Sequence, residues 1–268
     1  MLLEALAQRG ACSLSDLHHA TGLPKSTLRR LLTPLLGHHL VRRSLGDQLY
    51  RINVALPRIS NAGANPRVAR VAEIAGPHMI ELTRRIKWPC ELHLHDGDHM
   101  RVVESTRMQS PFQLGSAKMD LEVNLFGAAS GRAYLSSLGN VEIRKIVATV
   151  GEHPRWGLCR LHITAEELLN DLDEVRSAGY ASRSQRYDGE SRPPDRLHAI
   201  AVPIVQGRFA TGALTLIWPY RHLSPEQFAA LHAGDLRAAA ERISSELGRV
   251  GADMSVPVVT APGPERSH

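Results

Sequence analysis

Residues 13–36, SLSDLHHATGLPKSTLRRLLTPLL, contain two short amphipathic segments joined by the turn-forming sequence TGLP. Gly22 supplies the backbone freedom that a tight turn between helices needs, and Pro24 suits the first turn of the second helix. In the second segment, the leucines at positions 28, 31, 32 and 35 have the spacing of one apolar helical stripe. The stretch therefore predicts two helices joined by a tight turn, the second packed through its leucine face.

The other face of this second helix is polar and cationic. Its residues include Lys25, Ser26, Thr27, Arg29 and Arg30. A helix with one packed face and one cationic, hydrogen-bonding face fits the major groove of DNA. We predict that these five residues contact bases or clamp the DNA backbone. The alternative is a surface helix that faces only solvent, which would account for any one of these residues but less well for all five together.

A hairpin follows the second helix. Residues 41–44 and 48–52 are strand-like and flank a Gly-Asp turn. A hairpin in this position is the wing of a winged helix–turn–helix. We predict that Arg42, Arg43 and Arg51 contact phosphates, which hold a protein in register on DNA without reading its bases.

The distribution of charge supports a polyanionic partner. The whole chain has a formal net charge of +5. The first 60 residues contain eight Lys and Arg against three acidic residues, and the rest of the chain contains 24 of each kind. The entire excess of basic charge therefore lies in the N-terminal segment, as in a nucleic-acid-binding module.

Several motifs resemble one protein family. The run ALAQRG…SLSDLHHATGLPKSTLRRLL…LVRR…YRI resembles the winged helix–turn–helix of the IclR family of bacterial transcriptional regulators. FGAASGRAYLSSL at 126–138, AGYASRS at 178–184 and HAIAVPIVQGRFATGALTLI at 198–217 resemble its effector domain. The likeness covers about residues 2–248 and implies a DNA-binding domain, a helical linker and a GAF-like ligand-binding domain, assembled as dimers or dimers of dimers.

We therefore expect a mixed α/β protein of the α+β class. The expected parts are a winged helix–turn–helix domain at 1–58, a linker and linker helix at 59–76, an effector-binding domain at 77–250 and a disordered tail at 251–268. The small residues at 60–66 are expected to form a hinge. From residue 90 onwards, the apolar period of two predicts hairpins, including one at 91–104 and one at 199–218, and a further strand at 112–114.

Two prolines interrupt predicted helices, and one histidine stands where the family usually has glycine. Pro34 is expected to kink or end the second helix early, because proline lacks an amide donor and clashes with the preceding turn. Pro77 is expected to separate the linker helix from the first helix of the effector domain. The family usually has glycine where His39 stands, so the capping conformation is expected to move to Gly37.

The effector prediction combines the family resemblance with local chemistry. The small residues at 128–131 open a helix whose N-terminal end suits an anion, although tight packing would also explain them. Arginines in the loop after residue 182 can bind a carboxylate with two hydrogen bonds, and this basic loop resembles the family branch that handles aromatic acids. The predicted effector is therefore a small carboxylate. Its predicted contacts are Phe112, Leu114, Met119, Leu125, Phe126, Ala128, Ala129, Ser130, Gly131, Arg183 and Arg186.

A metal-dependent hydrolase is the alternative class. His93, His95 and His99 lie in HLHDGDH, but His99 comes one residue too late for the H-x-H-x-D-H metal motif. Alternate histidines on a strand can bind zinc only if further ligands converge on them. Ser130 lacks the G-x-S-x-G spacing of a nucleophile elbow. We therefore predict no catalytic residues, no metal and no cofactor.

The remaining features concern compartment and partners. The chain has no apolar run of 18 residues, and its start lacks the pattern of a signal peptide. Its three cysteines are far apart and lack CxxC spacing, which is typical of reduced thiols. We expect a cytoplasmic protein that binds a double-stranded operator and a small-molecule carboxylate, forms a homodimer or tetramer, and has no membrane partner.

Overall fold

The computed structural model describes residues 1–53, 66–112, 114–115, 117–190, 194–207 and 209–253. Most of the predicted hinge and nearly all of the predicted tail lie outside these ranges. The described residues form a mixed α/β structure with an N-terminal helix–turn–helix and a curled sheet, which confirms the predicted fold class.

The N-terminal region is a winged helix–turn–helix. Its elements are α1 (Leu2–Arg9), β1 (Ala11–Cys12), α2 (Leu14–Thr21), α3 (Lys25–Gly37), β2 (Val41–Arg43) and β3 (Tyr50–Ile52). The strands are antiparallel in the order β1-β3-β2. Gly22 has φ 70°, the left-handed conformation that the turn between α2 and α3 requires. Leu6, Leu17, Leu28 and Leu32 are fully buried between the helices.

Both prolines lie inside continuous helices, so the expected early end of α3 at Pro34 and the expected separation of two helices at Pro77 are wrong. Helix α3 continues through Pro34 to Gly37, and α4 (Pro66–Ile86) continues through Pro77. The apolar face of each helix packs on both sides of its proline, which offsets the lost hydrogen bond. The left-handed conformation after α3 is taken by His39, with φ 54°, while Gly37 remains helical.

The C-terminal region is built on an antiparallel sheet in the order β6-β5-β4-β9-β8-β7. The strands are β4 (Cys90–Asp96), β5 (His99–Ser105), β6 (Glu122–Asn124), β7 (Ala181–Ser182), β8 (Leu197–Gln206) and β9 (Phe209–Pro219). The helices are α5 (Ala129–Ser136), α6 (Asn140–Val150), α7 (Ala165–Ala178) and α8 (Pro225–Asp253). Helices α4 and α8 cover one face of the sheet, and α5, α6 and α7 lie on the other side.

The two long hairpins, β4–β5 and β8–β9, confirm the predicted period of two. The predicted strand at 112–114 is wrong, because Phe112 lies in a bend and Leu114 is outside any strand. Edge strands β6 and β7 were not predicted, because segments of two or three residues carry little periodicity. None of the described helices combines the length and apolar character that crossing a membrane requires.

Two leucines of the predicted apolar stripe of α3 differ in burial, and this difference tests the packing of the helix. Leu28 is fully buried, whereas Leu31 is 40% exposed despite belonging to the same apolar stripe. Leu28→Ala is expected to destabilise the N-terminal domain by about 2–5 kcal/mol, because it removes buried methyl groups and leaves a cavity. Leu31→Ala should change the stability by less than about 0.5 kcal/mol. Hydrogen exchange of residues 14–37 measures the stability of the domain in both variants. Equal losses of stability would contradict the difference in burial between Leu28 and Leu31.

Candidate nucleic-acid interface and ligand cavity

The outer face of α3 presents basic side chains to solvent. Lys25, Ser26, Arg29 and Arg30 are exposed, and Thr27 is half-buried. The three basic side chains make no hydrogen bond or ion pair with the residues that the structure describes. Helix α3 also begins without a side-chain cap, which leaves its first amides for an anion such as phosphate. This face is therefore available to a polyanion.

The wing arginines differ in their surroundings. Arg43 is exposed. Arg42 Nη1 donates a hydrogen bond to Glu104 Oε2 at 2.8 Å, and Arg51 binds the Asp47 carboxylate at 2.9 and 2.7 Å. The side chains of Arg42 and Arg51 are each only 12% exposed. The sequence-based expectation of three phosphate-contacting arginines does not fit this arrangement, since carboxylates of the chain itself hold two of them.

A polar cavity lies between the N-terminal end of α5, strands β4, β5 and β9, and the loop before β8. Its free volume is about 50 Å³, which holds a few water molecules but is well below the roughly 300 Å³ of a typical small-molecule site. Its lining includes Glu91, His93, Val102, Arg107, Ala128, Ala129, Ser130, Arg183, Tyr187, Glu190, Asp195 and Thr215. A ligand larger than water must therefore displace some of these side chains.

A larger open groove of about 500 Å³ lies between α5, α7, α8 and β8. Its walls include Val175, Val202 and Ala240, and none of the predicted effector contacts. The smaller cavity contains the buried ionisable side chains that are typical of binding sites. It is therefore the stronger candidate for a specific ligand.

Glu91 is the central charged group of the cavity wall and is 5% exposed. Arg107 Nε donates to Glu91 Oε1 at 2.9 Å, and His93 Nε2 lies 3.3 Å from Glu91 Oε2. His93 Nδ1 in turn lies 2.8 Å from Ser130 Oγ at the start of α5. Burial alone would raise the pKa of Glu91, but the hydrogen bond to His93 and the charge of Arg107 outweigh it and lower the pKa to about 2. Glu91 is therefore a fixed anion at neutral pH.

The loop before β8 closes the cavity with further paired charges. Arg183 donates to both oxygens of Asp195, at 2.9 and 2.8 Å. Burial would raise the pKa of Asp195, but its hydrogen bonds to Arg183 lower it overall. Tyr187 donates to Glu190 at 2.9 Å, and Arg160 donates to the same oxygen at 2.7 Å. An anionic ligand therefore has to compete with a carboxylate of the chain for a guanidinium group.

The structure brings four of the predicted effector contacts together at this cavity. Ala128, Ala129 and Ser130 begin α5, which has no side-chain cap, and Arg183 lies opposite in the cavity wall. Thr215 Oγ1 on β9 is buried in the same wall and has no hydrogen-bond partner among the described residues. This end of the cavity therefore offers hydrogen-bonding groups to a polar ligand.

Three other predicted contacts belong to the hydrophobic core. Leu125 and Phe126 are buried with the residues that pack beneath α5. A Cβ atom at Gly131 would collide with the backbone of Leu125, so glycine is needed there for close packing of α5. Packing accounts for these residues without a ligand.

The remaining predicted contacts are not part of the cavity wall, although the Leu114 carbonyl accepts a hydrogen bond from the cavity residue Arg107 at 3.2 Å. Phe112 stacks on Trp88 with 4.1 Å between ring centroids, and Leu114 packs at the edge of the core formed by α5 and β8. The sulfur of Met119 lies against the wing. Arg186 is exposed and donates to a backbone carbonyl in the loop before α7. Local sequence pattern does not distinguish Arg183, which faces inward, from Arg186, which faces outward.

Sequence reasoning missed several polar groups of the cavity. Glu91, Arg107, Glu190, Asp195 and Thr215 were not among the predicted contacts. Glu91 did carry a signal, because an acidic residue stands between the apolar residues Cys90 and Leu92 of a predicted strand. Its partner Arg107 follows the next strand, β5, and no local sequence pattern indicates that these two side chains pair.

The three histidines of the hydrolase alternative do not converge. His93 faces Ser130, whereas His95 stacks on Tyr134 with 4.4 Å between ring centroids. His99 Nδ1 lies 2.7 Å from Asp98. Within the described part of the chain, no group of three or more His, Cys, Asp or Glu side chains is arranged to hold a metal ion.

The Glu91 network predicts a specific pH dependence. Its pKa of about 2 lies below the usual 4.5, so its stabilisation is complete above pH 4.5 and is lost as the pH falls towards 2. Wild type should lose about 3 kcal/mol more unfolding free energy than Glu91→Gln over this range. Urea titrations can be followed by the fluorescence of the three tryptophans, all of which lie in the C-terminal region. The exposed Glu142→Gln should behave as wild type, and parallel curves for Glu91→Gln and wild type would refute the assignment.

The chain matches known families over most of its length. The family model described as bacterial transcriptional regulator IclR C-terminal matches residues 67–245, and the IclR helix-turn-helix domain matches residues 1–44. The probable transcriptional regulator SauR of Cupriavidus necator is 27% identical over 248 residues, which cover 90% of this chain and 92% of that protein.

Solved structures share the fold at low sequence identity. The Thermotoga maritima IclR aligns with a TM-score of 0.56 at 19% identity, over 92% of this chain and 95% of that one. An IclR homologue from Microbacterium hydrocarbonoxydans, complexed with 4-hydroxybenzoate, aligns with a TM-score of 0.50 at 19% identity, over 92% and 99% of the two chains. With both characteristic domains matched in order, this chain belongs to the IclR family of DNA-binding bacterial transcriptional regulators.

Proposed function

We propose that this regulator binds its operator through α3 and the wing and responds to a small carboxylate held beside the N-terminal end of α5. The observation that carries the proposal is the state of Arg183, whose guanidinium lies in the cavity wall and already binds one carboxylate, that of Asp195. A ligand carboxylate in place of Asp195 would keep both charge-assisted hydrogen bonds. The displaced Asp195 would make room in a cavity that is otherwise too small.

The rest of the cavity favours an aromatic acid. Val102, Val123, Ala199 and Ile217 provide apolar wall on the sheet side, which suits a ring. The Microbacterium hydrocarbonoxydans relative is complexed with 4-hydroxybenzoate, an acid of this kind. Ser130 and the Thr215 hydroxyl, which has no hydrogen-bond partner among the described residues, would bind a polar substituent.

We divide the DNA contacts by their exposure. Lys25, Ser26, Thr27, Arg29 and Arg30 on α3 would enter the major groove, where arginine can bind a guanine edge with two hydrogen bonds. Arg43 on the wing would contact phosphate. Regulation of this kind requires no catalytic step from the chain.

The proposal extends to the domain boundaries and assembly. We assign residues 1–58 to DNA binding, 59–76 to the linker and 77–250 to effector binding, in a cytoplasmic protein. Because a single winged domain contacts too little DNA for tight operator binding, we propose a homodimer that reads a near-palindromic site and can pair into a tetramer. Light scattering at micromolar concentration measures the assembly directly.

The two classes of DNA contact should respond differently to truncation. Arg30→Ala is expected to relax sequence specificity by about 1–3 kcal/mol if it binds a base edge. Arg43→Ala should weaken binding to all sequences alike and reduce the slope of log affinity against log salt by about 0.9 per lost phosphate contact. Fluorescence anisotropy with DNA from upstream of the chain's own gene, compared with scrambled DNA, measures both. Exposed Arg144→Ala in α6 is the control, and uniform losses for both test variants would contradict the division.

The effector site predicts opposite effects for the two partners of one ion pair. Arg183→Gln should weaken binding of benzoate or 4-hydroxybenzoate by about ten-fold or more, since a charge-assisted hydrogen bond contributes about 1.5–3 kcal/mol. Asp195→Asn should tighten it, because Arg183 is then less firmly held. Arg186→Gln, which removes a charge outside the cavity, is the matched control in calorimetry. A neutral ligand that binds equally well to all three variants would refute the carboxylate proposal.

A further inference from the structure

A carboxylate of the effector domain is bound by the wing. Glu104 on β5 is 3% exposed. Among the described residues, four donors from the wing converge on it: Arg42 Nη1 at 2.8 Å, Ser44 Oγ at 2.6 Å, and the backbone amides of Leu45 at 2.9 Å and Gly46 at 3.2 Å. The donors lie about 60 residues away in the sequence, so this contact joins the two domains.

The contact is part of a packed interface. The side chain of Leu45 lies against Gly76 of α4, and the backbone of Gly46 lies against Ser105. On the neighbouring side, Asn53 Nδ2 donates to Glu73 of α4 at 2.6 Å. Leaving a buried carboxylate without hydrogen-bond donors costs free energy. The contact with Glu104 therefore fixes the position of the wing on the effector domain.

Glu104 and DNA phosphate would both bind the Arg42 side chain. Arg42 is a wing arginine of the kind that contacts phosphate, yet its side chain is 12% exposed and its guanidinium is held by Glu104. Arg51 is similarly held by Asp47 and lies 3.4 Å from Asp120, just before β6. With Nη1 bound to Glu104 and the side chain largely buried, Arg42 presents little of its guanidinium to a phosphate in this arrangement.

We infer that the wing docks on Glu104, that docking withholds Arg42 from DNA phosphate, and that release of the wing raises the affinity for DNA. The inference rests on the proposed phosphate-contacting role of the wing. In the docked form, Arg43 remains exposed while Arg42 is held. The released form adds one phosphate contact for each wing.

Strand β5 connects the docking site to the ligand cavity. Glu104 is followed by Ser105, which pairs in register with Glu91 and whose hydroxyl lies 3.5 Å from the Glu91 carboxylate. Arg107, two residues further, forms the ion pair with Glu91 in the cavity wall. A cavity ligand that binds the docked and released forms unequally would therefore shift docking by the difference in its affinities.

The first experiment compares two carboxylate substitutions. Glu104→Gln should bind a mixed-sequence DNA duplex about ten-fold more tightly at 50 mM salt, with a salt slope steeper by about 0.9 for each phosphate gained. Glu122→Gln on β6 removes the same charge without a wing contact and controls for net charge. The gain should disappear in Glu104→Gln/Arg42→Ala. Equal effects of Glu104→Gln and Glu122→Gln, or weaker binding by Glu104→Gln, would overturn the inference.

The second experiment fixes the docked form. A Cβ at position 46 would lie 3.2 Å from the Ser105 Cβ, close to the roughly 3.5–4.5 Å of a disulfide. Gly46→Cys/Ser105→Cys, in a Cys159→Ser background that removes the exposed thiol, should therefore form a disulfide on oxidation and lose DNA affinity about ten-fold, restored by reductant. Gly46→Cys requires the flexible Met119 side chain to shift, and the short distance to Ser105 requires the two segments to separate by a few tenths of an ångström.

The two readouts separate this inference from the proposed function. Failure of the folded double-cysteine protein to crosslink would overturn docking without any reference to DNA. A crosslinked protein that binds DNA as well as or better than the reduced one would overturn the inhibitory role. If the reduced protein binds no DNA while the crosslink forms, the docking stands, and both the proposed DNA contacts and the inhibitory role are wrong.

Discussion

The C-terminal sheet is buried on both of its faces, and this burial dictates where its polar side chains find partners. Helices α4 and α8 cover one face and α5, α6 and α7 the other. A polar side chain on an inner strand therefore has no access to bulk water and must find partners within the protein. Glu91 forms an ion pair with Arg107 and a hydrogen bond with His93, and Glu104 accepts hydrogen bonds from the wing. The ligand cavity and the contact between domains both follow from the same requirement.

The same packing explains why α3 and α4 continue through proline. A proline inside a helix costs about 3 kcal/mol, because it removes one hydrogen bond and crowds the preceding turn. In α4, Ala75 and Met79 flank Pro77 and are both fully buried against the sheet and α8. Burying one apolar side chain contributes about 1.5–3 kcal/mol, so a stripe of them outweighs the proline. Tertiary contacts thus override a strong local preference to end the helix.

Arginine chemistry is common to the contact between the domains and to the polar cavity. A guanidinium binds a carboxylate and a phosphate with the same planar set of donors. Arg42 and Arg183 each bind a carboxylate of the chain itself, where the proposed function has a phosphate and a ligand carboxylate respectively. Under the proposed function, each site would exchange one anion for another, and the guanidinium would keep a partner in both states.

Local sequence determined the elements whose signals lie within a few residues, and packing between distant segments determined which side chains are available. The leucine spacing predicted α3, the sequence TGLP predicted the tight turn at Gly22, and apolar alternation predicted both long hairpins. The concentration of positive charge in the first 60 residues indicated nucleic-acid binding. Packing between the domains brings Arg42 to Glu104 and leaves its neighbour Arg43 exposed, a difference that no local pattern indicates. The partner of Arg42 lies 62 residues away, and periodicity within one helix or strand carries no information about contacts at that distance.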